Sequence, residues 1–128
     1  MNPSTSHIWP WPESLDALAA APAFHRKLLE NERVRVLHTL IPAGALAPLH
    51  THRYPAVAYV TSASHFIRRN HEGNVTFDSR QSGLPSTLPA VQWLEPLPPH
   101  TVENVGESEI SIFIVELKES ETADMQLR

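Results

Sequence analysis

Imidazole nitrogen is a good ligand for divalent transition metals, and this chain spaces three histidines as a metal centre would. His50 and His52 stand at i and i+2 in Gly44-Ala45-Leu46-Ala47-Pro48-Leu49-His50-Thr51-His52. Side chains alternate faces along a strand, so both rings point the same way if this stretch is extended. His100 lies in Pro98-Pro99-His100-Thr101-Val102-Glu103-Asn104, a second strand-like context behind a proline-marked turn. Two imidazoles on one strand and a third from its neighbour can hold one divalent ion. Neutral imidazoles leave that ion its full charge. Such a centre favours anionic, chelating substrates such as enolates, hydroxy acids or diketonates, with open positions for substrate, water or dioxygen.

Other residues fall around this set by strand parity. His38 shares the even parity of Val34, Val36 and Leu40, and if that face is inward it lines a cavity as an acid/base or hydrogen-bond donor. Tyr54, Tyr59, Phe66, Trp93 and Phe113 are candidates for the cavity wall, Trp93 above all because its strand leads to His100. Arg68 or Arg69 can anchor a substrate carboxylate, since one of two adjacent strand residues faces each side. Glu95 and Glu103 are the carboxylates near His100, and both read as solvated. His7, His25 and His71 fall in arm, edge and turn contexts and read as exposed, while His65, like His38, is open between the cavity and the rim or surface.

The elements that must carry these side chains are short strands separated by turn residues. Residues 34–41 are β-rich and end at Pro42-Ala43-Gly44. Strand-like runs follow at 48–53, 56–61 and 64–70, then a hairpin turn at His71-Glu72-Gly73-Asn74 and a return over 75–79. Residues 81–89 read as a loop. Further strands cover 91–94, 101–105 and 110–117. Ser14 caps a short helix that Pro22 ends, and the stretch from Phe24 to Asn31 is ambiguous. Short strands at this spacing make a sandwich or barrel.

These motifs resemble the two signatures of the cupin superfamily. Gly44, His50 and His52 match the first, and His100 with Asn104 matches the end of the second. Three positions depart: the first motif's Glu falls at Ala56 or Val57, its closing Gly near Ala63 or Ser64, and the second motif's Gly near Leu97. The resemblance spans residues 24–118. It implies an all-β, double-stranded β-helix or jelly-roll barrel, with an N-terminal arm and short helix over 1–23 and a polar tail over 119–128. It also implies that His50, His52 and His100 converge on a divalent metal (Fe, Mn, Ni or Zn), and that Asn104 serves structure. All-histidine centres occur in cupins, including dioxygenases that cleave β-diketones. The expected activity is therefore a metal-dependent, dioxygenase-like oxidoreductase acting on a small chelating anion. A non-catalytic binding or sensing cupin and a metal-dependent isomerase, epimerase or lyase are the alternatives.

Composition narrows the partners. A chain of 128 residues suits a single domain with no internal repeat. Its net charge of -4 argues against a nucleic-acid binder, and the short basic clusters at Arg26-Lys27, Arg33/Arg35 and Arg68-Arg69 read as solvated strand faces. There is no apolar run long enough to span a bilayer and no signal-peptide pattern, so a cytoplasmic location away from membranes is expected. With no cysteine, any metal is held by nitrogen and oxygen donors, and 8 histidines allow it. Ile110, Ile112, Phe113, Ile114, Val115 and Leu117 are apolar at both parities, which implies a strand covered on both faces. A homodimer, with the Trp9/Trp11 arm of one subunit covering the other, would supply that second cover.

Overall fold

A computed structural model describes residues 9–118 of the chain, leaving His7 and the polar tail outside them. Among the described residues nine strands are arranged in two antiparallel sheets. They are β1 (His25–Glu30), β2 (Val34–Ile41), β3 (Leu46–His52), β4 (Ala56–Ser62), β5 (Phe66–Asn70), β6 (Val75–Asp78), β7 (Ala90–Leu94), β8 (Leu97–Asn104) and β9 (Ile110–Leu117). One sheet has the order β1-β2-β9-β4-β7 and the other β3-β8-β5-β6. Neighbours in the first sheet run in long, near-continuous register, eight consecutive pairs joining β2 to β9. The fold is thus an all-β sandwich closing around one interior, as the turn spacing implied.

Alternation sorts the first sheet cleanly. On β9 the even residues Ile110, Ile114 and Glu116 are buried between the sheets, and Phe113, Val115 and Leu117 face outward. On β4 Ala56, Ala58 and Val60 are inward and Tyr59 is exposed. On β2 the inward set is odd: Arg35, Leu37, Thr39 and Ile41. Val34, Val36 and His38 therefore lie on the outer face, against the parity expected for His38. The strand carries aliphatic residues on both faces, so hydrophobicity alone cannot choose between them.

Local chemistry explains the other departures. Asp16, not Ser14, caps the helix: its carboxylate accepts from the Leu18 amide, and the helix α1 (Ala17–Ala20) follows a 3-10 turn at Glu13–Leu15. The ambiguous stretch becomes β1, with only its first residue buried. A second short helix, α2 (Ser79–Ser82), capped by the Asp78 carboxylate, occupies the start of the expected loop. β8 begins earlier than expected and runs through Pro98 and Pro99. The register shifts there, with His52 opposite Leu97 and His50 opposite His100, and such a bulge admits prolines that cannot donate to the ladder.

The two motif ends meet at one turn. Gly44 holds φ +79°, a conformation that suits glycine, and its amide donates to the Asn104 carbonyl. The Asn104 side chain is buried and fully used. It accepts from Ser64 Oγ and the Gly106 amide and donates to the carbonyls of Ile41 and Ser108. It staples β8, β2 and the two loops that flank β5 and β9, the structural role the cupin resemblance implied.

Candidate metal centre

The histidines on β3 and β8 reach the interior by the same local device. In Pro48-Leu49-His50 and in Pro98-Pro99-His100, the ring Nδ1–H donates to the carbonyl of the proline two residues earlier, at 2.6 and 2.7 Å. A carbonyl only accepts, so Nδ1 carries the proton and Nε2 keeps its lone pair. His25, at the start of β1, donates in the same way to the Ala21 carbonyl at 3.0 Å. His52 turns its Nδ1 toward Glu116 Oε2, 3.5 Å away. Four rings are thus each fixed through Nδ1, and four Nε2 atoms are left as ligands.

Their spacing fits a shared ion. Ring centroids lie 4.3 Å apart for His50 and His100, 4.8 Å for His25 and His50, 5.0 Å for His50 and His52, 5.3 Å for His25 and His52, and 5.6 Å for His52 and His100. A metal–nitrogen bond of about 2.1 Å would put adjacent imidazole centroids about 4.5–5.5 Å apart, from octahedral to tetrahedral angles. Nitrogen atoms of His25, His50 and His52 all fall within 4.8 Å of one another, and His100, outside that group of three, lies beside His50 with its ring tilted by 54°. The expected trio of His50, His52 and His100 is brought together, and His25 joins it. His25 is buried, not exposed as its edge context implied. It lies where β1 enters the sheet, its backbone opposite Thr39.

Burial keeps these rings neutral. Desolvation, with the neighbouring rings adding to it, pulls His25 and His52 down to about 3 and His100 to about 2. His50 is lowered by burial as well. Uncharged imidazoles at neutral pH are the form that binds metal.

Among the described residues no carboxylate lines the cavity around the rings. Glu95 bonds the Trp93 indole and Glu103 pairs with Arg69, both away from the cluster. The nearest carboxylate is Glu116, wholly buried behind His52. Its other oxygen accepts from Arg35 Nε, and Arg35 also forks onto Asp16 with bonds of 2.7 and 3.0 Å. Arg35 is therefore a buried tie between the helix cap and β9, not part of a solvated face. Sequence reasoning passed over Glu116, although it shares the inward parity of Ile110, Ile112 and Ile114.

The remaining candidates divide sharply. Phe66 and Arg68 line the histidine cavity, with Leu94, Leu97, Val102, Ile112 and Thr39 among its walls. Tyr59 and Trp93 are exposed on the outer face. Phe113 also faces outward and stacks on His38, their centroids 4.4 Å apart, while His38 Nε2 bonds Ser111 Oγ. Tyr54 belongs to a separate cavity beside the arm, with Trp9, Asp16 and Arg53. The expectations that His38, Tyr54, Tyr59, Trp93 and Phe113 face the centre are thus corrected, each by the parity of its strand or by the end of β3. His65 hydrogen-bonds Ser79, and His71 is exposed.

Known structures share this architecture. A cupin domain from Bordetella pertussis Tohama I superposes with a TM-score of 0.58 at 22% identity, covering 74% of this chain and 92% of that one. The chain has the cupin fold. An RmlC-like cupin with a double-stranded β-helix from Methanocaldococcus jannaschii matches with a TM-score of 0.51 at 13% identity, over 78% of this chain and 84% of that one. No protein-family model matches the chain, and no curated protein matches it. Among the described residues no helix is long and apolar enough to cross a membrane.

Proposed function

We propose that this cupin is a metal-dependent oxygenase acting on a small chelating anion, with a divalent ion held by His50, His52, His100 and His25. The observation that carries the reading is the fixing of four rings through Nδ1, which leaves four lone pairs beside one apolar cavity. His25 adds a further neutral donor from β1, whereas the first cupin motif would supply a carboxylate from the position of Ala56 or Val57. Such an ion would polarise a bound enolate or oxo acid and bring dioxygen to it. The chain's own part is to orient the rings, keep them unprotonated and exclude water with Phe66, Leu94, Leu97 and Val102.

Oxygen uptake tests the reaction class. Iron-loaded protein with a panel of β-diketones and α-hydroxy acids should consume dioxygen with at least one substrate, and chelation should abolish it. Turnover of such a substrate under argon would instead mark an isomerase or lyase.

We also propose a homodimer. Tyr59, Val91 and Trp93 are exposed on the outer face of the five-stranded sheet, with Tyr59 opposite both Val91 and Phe113. An apolar sheet face of this kind is suited to a second copy. Trp9 lies in its own chain's cavity with Asp16 and Tyr54, so the sheet face rather than the arm is the proposed contact.

A further inference from the structure

Among the described residues two buried side-chain polar atoms have no hydrogen-bond partner, Thr39 Oγ1 and Arg68 Nε. Both residues line the histidine cavity, from opposite sheets. Buried polar atoms are normally satisfied, and an orphan marks a place for a missing partner. Thr39 sits on β2 directly across from His25 and Ile112. Arg68 sits on β5 across from Val102, and its guanidinium lies 5.5 Å from the Phe77 ring and 5.8 Å from the Phe66 ring. It makes no ion pair with a described residue, whereas its neighbour Arg69 pairs with Glu103. Aromatic faces stabilise a cation without using its N–H groups. Among the described residues no acidic side chain lines the cavity to balance Arg68.

The space has two parts. About 90 Å³ lies around the histidines, and an adjoining 130 Å³ shares Phe66, Arg68, Leu94, Ile110 and Ile112 with it. The second part is lined further by Ala58, Val60, Leu84 and Pro85, with Ser62, Ser64 and Gln92 as its polar members. Two unpaired donors, a small volume and mostly hydrocarbon walls suit a planar monocarboxylate better than a phosphate, which needs more donors than these.

We propose that Arg68 and Thr39 bind the carboxylate of a small α-keto or α-hydroxy acid whose hydrocarbon branch occupies the adjoining apolar chamber. The proposal rests on the metal reading for the orientation of the acid's second oxygen, but not for the carboxylate contact. Arg68 would donate through Nε, Thr39 through its hydroxyl, and the remaining acid oxygen would face the Nε2 cluster.

Calorimetric titration of the full chain with α-ketoisocaproate tests this, in zinc-loaded and chelator-treated protein, with the primary amide of the same acid as the uncharged control. The acid should bind both forms, and the amide should bind the chelated form about tenfold more weakly or worse. Arg68→Met should weaken acid binding by about tenfold or more in both forms at unchanged zinc content, and Arg68→Lys by less. Thr39→Val should cost a smaller factor. Wild-type affinity in Arg68→Met, or no binding of the acid by either form, would overturn the proposal. If circular dichroism shows Arg68→Met unfolded, the acid–amide comparison in wild type decides, and equal affinities overturn it. Absence of zinc binding would defeat the metal reading alone, because the chelated-form titrations still report on Arg68.

Discussion

At the scale of single residues, the centre depends on where each Nδ1 proton goes. Three rings give it to backbone carbonyls and one turns it toward Glu116. The spacing of His50, His52 and His100 was legible in the sequence, although the shared Pro-x-His hydrogen bond was not. His25 was not legible, because an isolated histidine on a strand whose other residues are all exposed carries no alternation. Thr39 was hidden by a parity choice that His38 seemed to win. The same burial sets a pH dependence. In the unfolded chain these histidines take protons near 6.5, whereas folded His25, His52 and His100 stay neutral down to about 3, 3 and 2. Their folded values are depressed, so the unfolded state binds more protons through that window, and stability falls as pH falls below about 6.5. At pH 5 each ring disfavours the folded chain by on the order of 1–2 kcal/mol, and because the rings touch one another their effects do not simply add. Thermal melts of metal-free protein should therefore drop steeply between pH 7 and pH 5. A melting temperature unchanged over that range would contradict the buried, neutral assignment.

At the scale of elements, the site is assembled by register. β3 and β8 pair out of step around Pro98 and Pro99, and that shift sets His50 against His100. β1 adds His25 from the edge of the other sheet, so the centre bridges both sheets. β9 contributes Glu116 from the inward face of a central strand, where Arg35 ties it to the Asp16 cap. Most strands were readable, because apolar runs broken by glycine and proline leave few other solutions. Three features were not. A proline-rich stretch reads as a turn until a bulge admits it to a strand. The amphipathic signal of β1 is absent, since only the pairing with β2 makes it a strand. Arginine at 35 reads as solvated until two carboxylates far away in sequence, Asp16 and Glu116, are known to meet it.

At the scale of the whole molecule, the two faces of the five-stranded sheet divide the work. The inner face adds His25 to the candidate centre and closes over the histidines of the other sheet, and the outer face presents Tyr59, Val91, Trp93 and Phe113. Size-exclusion chromatography with light scattering should give a dimer, and Tyr59→Glu with Trp93→Glu should give a folded monomer. A wild-type monomer at high concentration would contradict the proposed pairing. The fold class was legible because histidine spacing and turn spacing agreed. Metal identity is not encoded in that pattern, since imidazole accepts zinc, iron, copper and nickel alike. The most direct test of the centre is elemental analysis of protein purified without a histidine tag, native and after reconstitution, beside His25→Ala and the His50→Ala/His52→Ala double variant. Stoichiometric divalent metal in the wild type, weakened in His25→Ala and lost in the double variant, is the predicted result. No metal in the wild type before or after reconstitution would contradict the account and leave the four rings as buried structural groups.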